Sequence, residues 1–363
     1  MLYCPFGKTG TQISAVSFGG MRFADPADIN ASAALIHYAH SKGINYFDTA
    51  PAYCGDRSED IFGTALRGLP RNSFLVSTKC GRASGDELRR SLERSLQRLG
   101  VDSIDFFYIW HLMNPADWDS RRRGGAVEAA LRAREEGLIG HLLCSSHMEG
   151  TALGQVLAED VFAGVLLGYN VLNFPYRRAA VELAGQYGIG VVTMNPLRGG
   201  LIPQNPQRFR FLKTITGDDL VPAALRFNLS HPAISSALVG IATRQDIDMA
   251  VAAMEEFSPY NSAQLQQLQD NTREAFSGLC TGCGYCLPCP ADIPVPKFMD
   301  SYNQLILSGG KHQAVQDRFN MHWRISPELA HRCIACGACE QRCTQHLPII
   351  ERLAELPDKT ASA

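Results

Sequence analysis

Eight of the twelve cysteines in this 363-residue chain stand in two closely spaced runs toward its C-terminal end. The runs are Cys280, Cys283, Cys286 and Cys289, and then Cys333, Cys336, Cys339 and Cys343. Three thiolates separated by two residues each can surround one cuboidal iron–sulfur cluster, whose fourth ligand comes from elsewhere in the chain. The spacing therefore predicts two 4Fe-4S clusters.

The expected sharing of ligands follows bacterial two-cluster ferredoxins, in which the fourth cysteine of each run binds the cluster of the other run. One predicted cluster then takes Cys280, Cys283, Cys286 and Cys343, and the other takes Cys333, Cys336, Cys339 and Cys289. The first run departs from that pattern because two residues, rather than three, precede Cys289. In addition, Thr344 stands where a proline often follows the second run.

Zinc and disulfides are the two alternatives for these cysteines. A zinc site usually takes its four ligands as pairs, and a Cys-x2-Cys-x2-Cys triplet crowds a single tetrahedral ion. Disulfides suit small secreted domains, whereas this chain is long and shows no secretory signal over residues 1–10. The spacing favours clusters. The remaining cysteines are scattered and are expected to be reduced thiols in a cytoplasmic protein.

A second group of reactive side chains lies in the first third of the chain, namely Asp48, Tyr53, Lys79 and His111. A phenol with a pKa near 10 is a poor proton donor or acceptor at neutral pH unless a nearby cation tunes it. Lys79 can supply that cation, Asp48 can hold the lysine, and His111 can donate to a substrate carbonyl oxygen. Each residue alone is as well explained by capping, packing or surface exposure. Together they follow three consecutive predicted strands, which indicates a proton-transfer site.

The first 257 residues alternate apolar strands with amphipathic helices. The predicted strands are 16–19, 45–48, 75–79, 104–111, 142–145, 165–170, 191–195 and 237–240. The predicted helices are 31–42, 58–68, 86–99, 126–136, 222–230 and 246–257. Eight strand-then-helix units, without a G-x-G-x-x-G after the first strand, predict a (β/α)8 TIM barrel rather than an open Rossmann sheet. A hairpin around residues 7–10 is expected to cap the bottom of the barrel.

Four segments are expected: a barrel over 1–257, a helical connector over 258–278, a small α-helical ferredoxin-like domain over 279–356, and a tail over 357–363. The formal net charge of −2 gives no electrostatic argument for nucleic acid or a membrane surface. No apolar run approaches the roughly 20 residues of a membrane span. The basic triplet 121–123 is expected to be a solvated loop.

Six short motifs follow one another along residues 1–255. They are Phe47-Asp48-Thr49-Ala50 with Tyr53, Ser58-Glu59 with Gly63, Ser77-Thr78-Lys79, His111, Tyr169-Asn170, and Pro196-Leu197 with Gly199-Gly200. In these motifs the chain resembles the aldo/keto reductase family, and the sequence from Cys280 onward resembles the ferredoxin-type extension of one branch of it. The resemblance implies a barrel that binds NADP or NAD in an extended form. It also implies that Tyr53 is the general acid, assisted by Lys79, Asp48 and His111, as a hydride reaches a carbonyl carbon.

The resemblance also implies a set of nicotinamide contacts. These are Gly20, Met21, Ser145, Ser146, Met194, Pro196, Leu197, Arg198, Gly200, Gly240 and Arg244. The chain departs from the family here, because Leu166 stands at a glutamine position and Met194 at a position that is often aromatic. Gly240 and Asp246 stand where a basic pair often holds the 2′-phosphate of NADP, and Asp246 would repel that group. The pattern therefore does not distinguish NADP from NAD.

The two kinds of site carry electrons differently, because a nicotinamide transfers a hydride and each cluster transfers one electron. The first hypothesis is an oxidoreductase that acts on a small carbonyl or alcohol, with clusters that serve a redox partner such as ferredoxin or flavodoxin. The alternative is an iron–sulfur electron-transfer protein whose barrel is a scaffold. A third is that the clusters only stabilise the C-terminal region.

Overall fold

A computed structural model of the chain describes residues 1–148, 150–217, 219–255, 257–275, 278–280, 282, 284–343 and 345–360. Two compact units are present. The first unit comprises Met1–Val171, Arg177–Gly199 and Val221–Asn261, and the second comprises Leu172–Tyr176, Gly200–Leu220 and Ser262–Ala363.

The first unit contains a closed barrel of parallel strands, which confirms the predicted fold. Its strands are β3 (Val16–Gly19), β4 (Tyr46–Asp48), β5 (Leu75–Cys80), β6 (Ile104–Leu112), β7 (Ile139–Ser146), β8 (Gly164–Gly168), β9 (Gly190–Met194) and β10 (Ile234–Gly240). Each strand pairs with the next one along the chain, and β10 pairs with β3 to close the ring. All eight predicted strands are therefore present. Because the strands are parallel, their carboxyl ends form one rim, where barrel enzymes place their chemistry.

A short antiparallel hairpin precedes the barrel, as the sequence predicted. It consists of β1 (Tyr3–Pro5) and β2 (Gln12–Ser14). Phe6, in the turn, is fully buried and lies against the ring of Phe106 with centroids 4.6 Å apart. A Cβ atom at Gly164 or Gly190, the first residues of two strands, would fall within 2.5 Å of the Phe6 ring. Phe6 thus fills the barrel at the amino ends of its strands.

Helices alternate with the barrel strands along the chain. They are α1 (Ile29–Ser41), α2 (Ser58–Leu66), α3 (Gly85–Leu99), α4 (Pro115–Arg123), α5 (Ala126–Glu135), α6 (Gly150–Leu157), α7 (Phe174–Gln186), α8 (Leu201–Gln204), α9 (Arg210–Thr216), α10 (Leu220–Leu229) and α11 (Arg244–Glu255). Of these, α8 and α9 belong to the second unit. The basic triplet forms the last turn of α4, so its interpretation as a loop was wrong. Asn114 caps this helix by accepting from the backbone of Asp117.

The second unit is helical in its C-terminal part, which agrees with the predicted domain type. Its helices there are α12 (Ser262–Ala275), α13 (Val295–Leu307), α14 (His312–Asp317), α15 (Ala338–Gln341) and α16 (Ile349–Thr360), with a π-helical turn over Arg318–Trp323 and a 3-10 turn over Pro327–Arg332. A core that includes Phe298, Phe319 and Leu353 holds together the elements from α13 to α16. None of the described helices is both long enough and apolar enough to cross a lipid bilayer.

Candidate functional site

Asp48, Lys79 and His111 lie at the carboxyl ends of β4, β5 and β6, and Tyr53 lies in the loop after β4. Lys79 forms an ion pair with Asp48, and their side chains are 0% and 2% exposed. The Lys79 ammonium also donates to the backbone carbonyl of Thr49 at 3.0 Å. Burial of both partners means that solvent does not screen their attraction, so the pair fixes the lysine at the rim.

Hydroxyl groups inside the barrel extend this ion pair. Ser77 donates to Asp48 Oδ1 at 2.6 Å, and Tyr46 donates to Ser77 Oγ at 2.8 Å. The Tyr46 and Tyr108 hydroxyls are 2.9 Å apart, and both residues are fully buried. Our sequence analysis missed Tyr46, Ser77 and Tyr108 as members of the site. Tyr46 stands two residues before Asp48, and Ser77 stands two residues before Lys79. Since alternate residues of a strand point to the same face, this spacing could have identified both of them.

The Tyr53 side chain lies next to the ammonium of Lys79. The Lys79 Nζ atom is 5.6 Å from the Tyr53 ring centroid, and the rings of Tyr53 and Trp110 form a T-shaped pair with centroids 5.7 Å apart. Burial raises the pKa of the Tyr53 hydroxyl well above its ordinary value, and the charge of Asp48 adds to this. Burial lowers the pKa of Lys79, which Asp48 opposes. The site thus places the Tyr53 hydroxyl, whose raised pKa makes it a weak acid, beside the positive charge of Lys79.

His111 has a backbone conformation that is unusual for a residue with a side chain. Its φ is +66°, and the pairing of β6 with β7 shifts register between Ile109 and Leu112. Such irregularities re-aim a side chain and collect at functional sites. The His111 ring meets the ring of His147, which follows β7, edge to face with centroids 5.1 Å apart. His147 is a further residue that our sequence analysis missed, because no local pattern in the sequence indicates that positions 111 and 147 are in contact.

The predicted nicotinamide contacts of the first unit lie at the carboxyl ends of its strands or directly after them. Gly20 donates its backbone N–H to the carbonyl of Asp48 at 2.8 Å, and a Cβ atom there would fall 2.3 Å from Phe62. Met21 beside it is exposed. Ser145 and Ser146 end β7 and are buried, and the Ser146 hydroxyl accepts from the backbone of Met148 at 3.0 Å.

The remaining predicted contacts follow β9 and β10. Met194 ends β9, and Pro196, Leu197 and Arg198 come after it; Arg198 is buried with a φ of +55°. Gly240 ends β10, whereas Gly200 belongs to the second unit. Arg244 begins α11 and stacks on the ring of Tyr38 at 4.9 Å. The carboxylate of Asp246 accepts the backbone N–H groups of Ala242 and Thr243, and the Thr243 hydroxyl accepts from the backbone of Asp246, which forms a capping box at the start of α11.

Arg22 is a cation in this region that our sequence analysis did not single out. A Cβ atom at Gly240 would fall 2.7 Å from Arg22 Cγ, and one at Gly199 would fall 3.7 Å from its guanidinium. The Arg22 side chain therefore reaches from the segment after β3 to the end of β10 and to Gly199, in the segment after β9. It forms no ion pair with any residue that the structure describes, which leaves its charge available to an anion.

The cysteine runs of the second unit pack against its apolar core. Six of them do so: Cys280, Cys286, Cys289, Cys333, Cys339 and Cys343. Five cysteines line one cavity of about 360 Å³, counted with its open side: Cys286, Cys289, Cys333, Cys336 and Cys339. Four of these five are the ligands expected for the second cluster. Cys283 lies outside the described residues.

Backbone and side-chain contacts hold the two cysteines expected to join in the first cluster. The amide of Asn303 pairs with both backbone groups of Cys280, at 2.8 and 2.7 Å. The Cys343 sulfur accepts from the backbone of Leu347 at 3.5 Å. Among the residues with described placement, no three His, Cys, Asp or Glu side chains converge on a point that suits one metal ion. A cuboidal cluster does not require such convergence, because its four cysteines bind four different irons.

Comparison with known proteins agrees with both parts of this description. Residues 15–270 match the Aldo/keto reductase family, and residues 279–347 match the 4Fe-4S dicluster domain. The chain is 29% identical to L-galactose dehydrogenase of Arabidopsis thaliana over 289 residues, which cover 69% of this chain and 87% of the relative. It is 28% identical to the NADH-specific methylglyoxal reductase of Escherichia coli strain K12 over 250 residues, covering 62% and 73% of the two chains.

Among solved structures, the holo form of aldo-keto reductase AKR11C1 from Bacillus halodurans superposes with a TM-score of 0.67 at 22% identity. The superposition covers 75% of this chain and 96% of that one, and it supports the barrel fold. The family match spans most of the chain and contains the rim residues described above. The chain therefore belongs to the aldo/keto reductase family of oxidoreductases, and a 4Fe-4S dicluster domain follows its barrel.

Proposed function

We propose that the barrel interconverts a carbonyl and an alcohol with a nicotinamide cofactor, and that Tyr53 transfers the proton. The observation that carries this proposal is the buried Lys79–Asp48 pair, whose ammonium lies 5.6 Å from the Tyr53 ring centroid. A positive charge at that distance stabilises a phenolate, and so opposes the burial that raises the Tyr53 pKa.

In the reducing direction, a bound nicotinamide supplies a hydride to the carbonyl carbon. Tyr53 donates its hydroxyl proton to the carbonyl oxygen, so that C=O becomes CH–OH. Lys79, held by Asp48 and Thr49, stabilises the phenolate that remains. His111 donates a hydrogen bond to the same carbonyl oxygen and orients it. In the oxidising direction the Tyr53 phenolate takes the proton back.

The nucleotide side of the proposal rests on Arg22. Its guanidinium has no ion-pair partner among the described residues and lies beside Gly199, in the segment after β9, while the aliphatic part of its side chain lies against Gly240 at the end of β10. An arginine fork suits a phosphate group. Arg22 therefore supplies a positive charge for a nucleotide phosphate, which Gly240 and Asp246 cannot supply. Replacing it, as in Arg22→Gln, is expected to raise KM for the nucleotide while kcat changes little.

The experiment that tests the catalytic proposal is a turnover assay on the anaerobically purified full chain. NADH and NADPH are tested with a panel of small aldehydes and ketones, beginning with methylglyoxal, and NAD and NADP are tested with L-galactose. On the best substrate, Tyr53→Phe is expected to lower kcat by about 100-fold or more, the usual contribution of a general acid. Tyr38→Phe, which removes a hydroxyl that donates to Asp248 on the surface, is the matched control. Activity of Tyr53→Phe within two-fold of the wild type would refute the role of Tyr53.

Electron transfer is the second candidate function, with two clusters that serve a redox partner. The observation that favours it is the cysteine-lined cavity, at which Cys336 and Ile334 are exposed. An iron bound at an exposed cysteine lies close to the surface, where a ferredoxin or flavodoxin can approach it.

Anaerobic titration with NADH and NADPH, followed by the visible absorbance of the clusters, distinguishes the two functions. Bleaching by either nucleotide means that the barrel and the clusters exchange electrons. Clusters that exchange with flavodoxin, in a protein that binds no nucleotide by fluorescence titration, would instead support the barrel as a scaffold.

A further inference from the structure

Arg352, on α16, is an arginine buried inside the second unit. Only 7% of its surface is exposed. Its Nη2 atom donates to the carbonyl of Gly278 at 2.7 Å, and its guanidinium lies 4.6 Å from the centroid of the Tyr302 ring. The Nη1 atom is also buried but has no hydrogen-bond partner among the residues that the structure describes. A charged donor left unpaired in this way is costly, so its presence indicates a missing acceptor.

The surroundings of Arg352 point to that acceptor. Burial lowers the pKa of Arg352, whereas the Tyr302 hydroxyl, the thiols of Cys280 and Cys343, and the exposed carboxyl group of Glu351 act in the opposite direction. These two cysteines come from different runs, and they are the pair that the crossed arrangement of ligands assigns to one cluster. The carbonyl that holds Nη2 belongs to Gly278, two residues before Cys280. The guanidinium is thus anchored beside the start of the first cysteine run, and its Nη1 atom is left without a partner among the described residues.

We propose that Arg352 donates a hydrogen bond from Nη1 to a sulfur atom of the cluster bound by Cys280, Cys283, Cys286 and Cys343, and thereby raises the reduction potential of that cluster. Reduction adds one negative charge to a cluster, so a buried cation and an N–H donor stabilise the reduced form more than the oxidised form. Arg352 is a positioning and tuning residue, not a ligand. The inference rests on the proposed cluster ligands and does not depend on nicotinamide turnover.

Redox titrations of the full chain, monitored by electron paramagnetic resonance, test the proposal. The Cys336→Ala background removes the other cluster, so that one signal remains. In Arg352→Gln, the ratio of reduced to oxidised cluster at a fixed potential is expected to fall by about ten-fold, which is about 59 mV for a one-electron couple. Arg352→Lys keeps the charge but not the planar fork, and is expected to lie between the two.

Arg342→Gln is the matched control, because Arg342 is exposed and solvent screens its charge. It is expected to change the ratio by less than two-fold. An unchanged potential in Arg352→Gln, or a shift equal to that of the control, would overturn the proposal. A chain that binds no iron at all would overturn the cluster assignment itself.

A measurement on the unaltered sequence covers the case in which Arg352→Gln does not fold. The full chain is prepared with arginine labelled with ¹⁵N at the guanidinium only, so that the backbone nitrogens of Arg332 and Arg342 beside the cysteines stay unlabelled. Pulsed electron paramagnetic resonance is then recorded on the reduced protein. A hydrogen bond to cluster sulfur is expected to produce a ¹⁵N coupling in one of the two cluster signals. The proposal is wrong if neither signal carries that coupling.

Discussion

Replacing Asp48 by asparagine removes the partner of a lysine that solvent does not reach. The two side chains are 0% and 2% exposed, and the ammonium then keeps only the carbonyl of Thr49 at 3.0 Å. Removing one partner of such a pair costs about 3–5 kcal/mol, because the other charge stays buried and uncompensated. We therefore expect Asp48→Asn to lower the free energy of unfolding of the barrel by about that amount.

The same variant has a pH dependence whose sign follows from Lys79. Burial lowers the pKa of Lys79 and Asp48 opposes it, so without Asp48 the pKa falls further below its unfolded value of about 10.4. Between the folded and unfolded pKa values the unfolded chain binds more protons at Lys79, so stability rises with pH in that window. The deficit of Asp48→Asn relative to the wild type is therefore larger near neutral pH than near pH 10, because the lysine of the unfolded chain loses its proton as the pH approaches that value.

Hydrogen exchange of peptides that cover β4 and β5, recorded by mass spectrometry over a urea series, measures this loss in the barrel alone. The control is Asp248→Asn, which breaks an exposed pair with Lys42 and is expected to change stability little. The reasoning fails if Asp48→Asn destabilises the barrel no more than the control does, or if its deficit is the same at every pH.

Three further predictions concern packing and the clusters. A Cβ atom at Gly63 of α2 would fall 1.9 Å from the carbonyl of Arg98 in α3, so Gly63→Ala is expected to destabilise the barrel by about 1–3 kcal/mol or more, measured by urea unfolding. Gly81→Ala, whose Cβ atom would lie 3.9 Å from its nearest neighbour, is the control, and equal losses would refute the argument. Phe6→Ala is expected to lower the free energy of unfolding by about 3–5 kcal/mol in the same assay, because it leaves a cavity at the amino end of the barrel. A loss of less than about 1 kcal/mol would contradict that role. Cys289→Ala and Cys336→Ala are each expected to lower the iron content from about eight to about four atoms per chain, with no further loss in the double variant; additive losses would exclude the crossed arrangement.

The barrel was predictable because its strands are short apolar runs separated by amphipathic helices. Val16–Gly19 was predicted with its observed bounds. Strand β7 begins three residues earlier than predicted, at Ile139, because Gly140 and His141 interrupt the apolar run. Helix α4 was missed because it buries little besides Trp118, although Asn114 and Pro115 mark its start. Local periodicity thus locates elements that have an apolar face and overlooks those that are nearly all polar.

The candidate site was predictable only where residue types carry chemistry by themselves. Asp48, Lys79 and His111 could be placed at one rim because consecutive parallel strands end together. The neighbourhood of Arg22 and Gly240 depends on closure of β10 onto β3, which joins residues more than two hundred positions apart, and no local pattern contains it. Arg352 lies in an amphipathic helix, where its position on the buried face is visible only in three dimensions.

The hydroxyl chain inside the barrel has a consequence for how this protein can change over time. Tyr46, Ser77 and Tyr108 satisfy one another beneath Asp48 in a space that water does not reach. Loss of one hydroxyl leaves the neighbouring buried hydroxyl without a hydrogen-bond partner. Single replacements at these positions are therefore expected to destabilise the barrel, whereas matched replacements are expected to be tolerated. Sequence drift at these three positions is therefore expected to proceed in compensated sets, and related chains that alter one of them should alter another.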